Sequence, residues 1–170
     1  EGIVGHEIVE VKNTRRSVLD LVDFNRYSGK GNPVMRFYNQ TTGEHFFTTS
    51  IVEADVLINA SWIFEGVAWV EPVYTEGGNI PVHRLFNIQN GEHFFTLAKV
   101  EAEYLMANGW DYEGIAFYSD KKEGVPVYRL YQSTNIATGS HFYTSDSVEK
   151  DNLISQGWEY EGIGWFGGVI

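Results

Sequence analysis

Three histidines recur at a fixed interval. His45 lies in GEHFFT at 43–48, His93 in an identical hexapeptide at 91–96 and His141 in GSHFYT at 139–144, each 48 residues from the last. Three imidazoles brought to one point form the protein half of some catalytic zinc sites. The spacing also fits one structural unit copied three times. In that case each histidine, set between glycine and aromatic residues on the return strand of a hairpin, bonds a neighbouring backbone group and holds the hairpin. Repetition favours this second reading, because every copy must solve the same local packing problem.

Two charged sets share the period. Arg36, Arg84 and Arg129 occupy one position, and Glu65, Glu113 and Glu161 another. A guanidinium and a carboxylate within each copy would satisfy one another with bidentate geometry, the usual fate of charges withdrawn from water. The alternative is a polar pocket in which these groups bond ligand hydroxyls. Glu44 and Glu92 become Ser140 in the third copy, so the role of that glutamate is not required three times. The five tryptophans all fall inside the repeats: Trp62, Trp110 and Trp158 are equivalent, and Trp69 and Trp165 match Phe117. Phe64, Tyr112 and Tyr160 form a further aligned set. Such rings suit both core packing and stacking on sugar rings. Most must fill the core, with about one per copy expected at the surface. The candidate ligand-binding set is therefore His45, His93, His141, Arg36, Arg84, Arg129, Glu65, Glu113, Glu161, Trp69, Phe117 and Trp165.

These residues must be positioned by the repeat itself. Residues 33–69 align with 81–117 without a gap, and 126–165 align after three extra residues between Tyr131 and Gly139. Each copy opens with a proline followed by VMRFY, VHRLF or VYRLY, a strand pattern. A turn leads to HFFT or HFYT, which completes a hairpin. Ser50-x-x-Glu53 and Asp146-x-x-Glu149 have capping-box spacing before a short helix, whereas Ala98 leaves the second helix uncapped. Gly109 and Gly157 suit left-handed helix stops, with Ser61 in that place in the first copy. A last strand over WIFEGVAW, WDYEGIAF or WEYEGIGW completes a β-β-α-β unit. The expected class is α+β, with three units of about 48 residues forming one domain over 32–170. A closed pseudo-threefold arrangement or a short solenoid would fit, and a compact pseudo-threefold one is expected. Residues 1–31 read as an extension or the end of a preceding unit. Glu1–Val4 resembles the last strand of a copy, residues 15–22 suggest a short helix, and Ser28–Gly31 a linker.

Composition narrows the function classes. Twelve Lys+Arg against 23 Asp+Glu give a net charge of −11, which disfavours nucleic acid and anionic lipid as partners. With no cysteine there is neither a disulfide framework nor a thiolate site. No run is long enough for a membrane span, and the opening EGIVGHEIVE lacks a leader pattern, so a mature form or an excised piece is expected. Symmetry argues against catalysis within the repeats, since general acid–base chemistry needs two groups with different environments and equivalent residues see similar ones. Catalysis would then fall to residues outside the pattern, such as His6, Asp20, Asp23 or His83, which complete no HExxH, GxSxG, P-loop or GxGxxG motif.

The succession of VYRLY, GEHFFT or GSHFYT, a helix and GW-x-YEGIAF resembles a family of secreted tandem repeats of unassigned function in bacteria and some fungi. The resemblance covers residues 33–166, and such repeats often accompany peptidoglycan hydrolases. It implies an accessory module. The expectation is a secreted or cell-surface, non-catalytic, monomeric domain that binds cell-surface polysaccharide or peptidoglycan multivalently, with no cofactor and no metal. The alternatives are a metal-dependent enzyme or metal-stabilised domain built on the three histidines, and a protein-interaction or structural module.

Overall fold

A computed structural model of the chain describes residues 15–75, 78–121, 123–133 and 140–169. The first copy comprises β1 (Gly31–Tyr38), β2 (His45–Thr48), α1 (Ile51–Asn59) and β3 (Ile63–Pro72). The second comprises β4 (Ile80–Phe86), β5 (His93–Thr96), α2 (Lys99–Ala107) and β6 (Asp111–Ser119). The third comprises β7 (Val125–Tyr131), β8 (His141–Thr144), α3 (Ser147–Ser155) and β9 (Glu159–Gly167). Each copy is thus the expected β-β-α-β unit. Its opening strand is the centre of a three-stranded antiparallel sheet, in the orders β2-β1-β3, β5-β4-β6 and β8-β7-β9.

The first strands begin one or two residues before the prolines, so Gly31 belongs to β1 and not to a linker. In the first two copies Asn39 and Asn87 fold the hairpin turn. The Asn39 side-chain oxygen accepts from Thr41 and Thr42 N–H, and that of Asn87 from Gln89 N–H. Gln132 takes this place in the third copy, whose extra residues lie largely outside the described ones.

Helix entry departs from the expected capping box in one half. Ser50 Oγ accepts from Glu53 N–H, and Asp146 from Val148 and Glu149 N–H, while Ala98 makes no such bond. The return bond from the glutamate is not made. The cap residue's own N–H goes to a threonine hydroxyl of the preceding strand, Thr48, Thr96 or Thr144. That hydroxyl donates in turn to Glu53 or Glu101, at 2.5 and 2.6 Å. The glutamate is thereby freed to face the neighbouring unit. At the helix exit Ser61 adopts φ +69°, and Trp62 N–H reaches Leu57 C=O while Ser61 N–H reaches Ile58 C=O, a Schellman closure on a residue with a Cβ.

Closure of the ring is visible in the core. Phe47, Phe95 and Tyr143, one from each unit, touch pairwise with centroids 5.6–5.9 Å apart. Trp69, Phe117 and Trp165 do the same at 5.7–5.8 Å. In a solenoid the first and last units would not meet. Here every unit meets both others, so the arrangement is closed and pseudo-threefold, with two stacked aromatic layers around its axis. This corrects the expectation that Trp69, Phe117 and Trp165 offer a binding face: they are 4%, 2% and 1% exposed. Their position, on the strand that approaches the other two units, demands a large apolar ring rather than an accessible one.

Residues 15–30 do not stand apart. They form two short 3₁₀ turns, Val18–Asp20 and Phe24–Tyr27, in place of the expected helix, and strap the outer face of the first unit. Val18 is fully buried, with Val22 and Phe24 packed against the same cluster. The readings at Glu1–Val4 and His6 fall outside the described residues. Among the described residues no helix is long and apolar enough to cross a membrane.

Candidate functional site

The repeated charged residues meet at the boundaries between units. Each last strand is bulged opposite the arginine, and Gly66, Gly114 and Gly162 stand there with φ +95° to +100°, a conformation that side chains resist. The bulge sets the preceding glutamate beside the arginine: Arg36–Glu65, Arg84–Glu113 and Arg129–Glu161 are each 3.0 Å. The expected pair within each copy is therefore present, but it is half of the arrangement. The other guanidinium nitrogens cross to the preceding unit. Arg84 takes Glu53 at 2.8 and 3.0 Å, Arg129 takes Glu101 at 2.8 and 3.3 Å, and Arg36 takes Glu149 at 2.8 and 3.2 Å. The third of these joins the last unit to the first. Each guanidinium also lies 5.1–5.3 Å from the ring of Phe142, Phe46 or Phe94 across the same boundary, within cation–π range.

The histidines belong to these locks and are not gathered on the axis. His93 Nδ1 faces Glu44 of the first unit at 2.5 Å and its Nε2 faces Glu113 at 3.3 Å. His141 repeats this with Glu92 at 2.5 Å and Glu161 at 3.4 Å. His45 keeps Glu65 at 3.2 Å, but the residue in the place of the cross-boundary glutamate is Ser140, too short for the same reach. Among the described residues there is no group of three or more His, Asp or Glu arranged to hold a metal. The expectation of a histidine bonded to a neighbouring backbone group missed these partners, a carboxylate of its own unit for all three and one of the preceding unit as well for His93 and His141.

Electrostatics follow the geometry. Burial works against the charge on His141, but the Glu161 and Glu92 carboxylates outweigh it and hold the imidazole above its ordinary value. The His141 hydrogen bond leads in lowering Glu161, against burial and with help from Arg129. For Glu53 and Glu65 burial is the largest influence and raises them. Arg84 and Thr48 overcome it for the first, and His45 and Arg36 for the second, so both carboxyls lie below the usual range. Every charged member of the candidate set is thus occupied by another.

An open cleft lies elsewhere, where the strap, the end of β3, the segment before β4 and the end of β6 meet. Its volume is about 680 Å³. Tyr27, Tyr74 and Tyr118 supply aromatic surface, and Asn25, Asn32 and Asn79 supply amides. Glu71 is fixed on its floor, accepting from Asn32 Nδ2 at 2.8 Å and from Tyr118 N–H at 2.7 Å. No Lys or Arg is among the described lining residues. The corresponding position in the second unit is Ser119, whose Oγ accepts from Phe166 N–H, and the nearby hollow of Ile80, Asp120, Lys121 and Glu123 carries no aromatic side chain. The cleft is therefore particular to one boundary. Its residues sit in the segments between copies, where an alignment of repeats is blind. The one available signal was the concentration of Tyr and Asn in the segments flanking the first copy.

No curated protein and no solved structure matches the chain. A family model does match, over residues 33–168, which takes in all three units and leaves out the strap. By that match the chain belongs to the family described as a domain of unknown function, DUF5648.

Proposed function

We propose that this domain is a non-catalytic glycan-binding module of an exported protein, and that it binds through the single cleft at Glu71 rather than through three equivalent faces. The observation that carries the reading is the lining of that cleft: three tyrosines, three amides and one fixed carboxylate, with no cation among the described lining residues. Flat rings accommodate the C–H faces of sugars, while amides serve as both donors and acceptors for hydroxyl groups. A neutral polysaccharide suits such a lining, and a chain of net charge −11 repels an anionic one. Glycoside hydrolysis ordinarily requires a pair of carboxylates flanking the bond. Among the described lining residues Glu71 is the one carboxylate, and both of its oxygens already accept hydrogen bonds. Bacterial wall polysaccharide is the ligand class to test first, given the secreted repeats that the sequence resembles.

The test is co-sedimentation with purified cell walls, followed by calorimetric titration with soluble neutral fractions released from them. Tyr118→Ala and Tyr74→Ala should each weaken binding about tenfold, equivalent to roughly 1.4 kcal/mol, whereas Val148→Ala, on α3, should not. Undiminished binding in both tyrosine variants would overturn the cleft as the site.

A further inference from the structure

The strap covers on the first unit a face that the other two units leave open. Ile58, Phe64 and Val67 of the first unit lie beside strap residues Leu21, Val22 and Tyr27, and Ile58 is only 9% exposed. The equivalents on the second unit, Met106, Tyr112 and Ile115, are 39%, 44% and 48% exposed. A polar anchor accompanies the apolar three. Asp55 on α1 accepts from Ser17 Oγ at 3.0 Å and from Val18 N–H at 2.8 Å, which fixes the strap at its burying residue. Glu103 occupies that position on α2, where among the described residues it makes an exposed 3.8 Å pair with Lys99. On the third unit Ile154, Tyr160 and Ile163 are just as exposed, at 39%, 45% and 48%, but Lys150 lies 4.6 and 5.2 Å from the rings of Tyr128 and Tyr160 and pairs at 3.3 Å with Asp151, the counterpart of Asp55, so a cation already stands where a basic segment would enter.

We propose that the outer face of the second unit, Met106, Tyr112 and Ile115 with Glu103 as anchor, docks a segment of another polypeptide with the strap's chemistry: a basic residue, a hydroxyl residue and a branched apolar residue in succession. The strap is the template, since Arg15-Arg16-Ser17-Val18 is that succession and its complementary face is repeated here. Charge points the same way. The face carries Glu103 and Asp111 on a chain of net charge −11, so a basic entry to the segment is favoured. His83, bonded to the Tyr112 hydroxyl at 2.8 Å where the first unit has Met35, makes this face more polar and able to take a further hydroxyl. The site is independent of the cleft.

The experiment is titration of a fluorescently labelled peptide with the sequence of residues 15–24 into the whole chain, read by anisotropy. The expected result is saturable binding that Ile115→Asp weakens at least tenfold and that Ile163→Asp, at the matching position of the third unit, leaves unchanged. Both substitutions are at exposed positions, and a circular dichroism spectrum checks that each variant is folded. Binding unaffected by Ile115→Asp would mean that the peptide displaces the chain's own strap, and this overturns the proposal. So does an absence of saturation at millimolar peptide. Self-association of the chain that Ile115→Asp abolishes would make the occupant a second copy and overturn the assignment to a different partner.

Discussion

Replacing Arg84 by methionine keeps the aliphatic stem and removes a guanidinium that makes three charge-assisted hydrogen bonds, two to Glu53 and one to Glu113. Each such bond contributes about 1.5–3 kcal/mol, so the gross loss is on the order of 4–9 kcal/mol. Two effects reduce it. Arg84 is 15% exposed and its desolvation cost disappears with it, and Glu53 and Glu113, at 37% and 30%, regain water once unpaired. The low end of the cost of breaking a buried pair, about 3 kcal/mol, is the expected result. For a chain of this size that corresponds to a fall of roughly 6–12 °C in Tm. Urea unfolding followed by tryptophan fluorescence measures it. A double-mutant cycle with Glu53→Gln should show a coupling above 1 kcal/mol, because the two residues belong to different units and share one contact. A loss below 1 kcal/mol, or an additive cycle, would refute the assignment of these residues to locks between units and return Arg84 to the pool of ligand-facing groups.

Tyr143→Phe restores the residue found at Phe47 and Phe95, yet it should cost about 1–3 kcal/mol in urea unfolding: the fully buried hydroxyl accepts from Phe95 N–H at 3.0 Å and donates to Phe95 C=O at 3.1 Å, leaving both unpaired when removed. Ser61→Gly should raise stability by about 1 kcal/mol, measured in the same way, because it relieves a left-handed backbone that the equivalent Gly109 and Gly157 adopt freely. Stability should also depend on pH from both sides. Glu53, Glu65 and Glu161 are held below their ordinary 4.5, so their contribution is complete above pH 4.5 and is lost as pH falls through their lowered values. His141 is held above its ordinary 6.5, so its contribution is complete below pH 6.5 and is lost as pH rises through its raised value. Tm measured across pH should therefore peak between those limits, and His141→Gln should flatten the alkaline side.

What the sequence discloses depends on how locally each feature is determined. The unit was legible because its signals are short-range: alternation in VYRLY, the cap at Ser50 or Asp146, the left-handed stop at Gly109 or Gly157. The pair of Arg84 with Glu113 was legible too, since both recur with one period. Its second partner was not, because Glu53 carries the mark of a capping box. The threonine that takes over the capping bond, Thr48, sits in the hairpin motif, where it reads as a strand residue. Period alone also cannot say which neighbour a residue meets. Arg36 and Arg84 look alike in sequence, yet one reaches back 31 residues to Glu53 and the other forward 113 to Glu149, and only ring closure makes these the same contact. The cleft lay beyond reach for the opposite reason. Tyr27, Asn32, Tyr74 and Asn79 come from connecting segments with no period, brought together because the strap precedes the first unit in the chain and the other units have only linkers. Threefold repetition thus builds the scaffold, and its equivalent residues are spent on joining units. The asymmetric segments are left to distinguish one boundary from the others, which is the reason to look for ligand there.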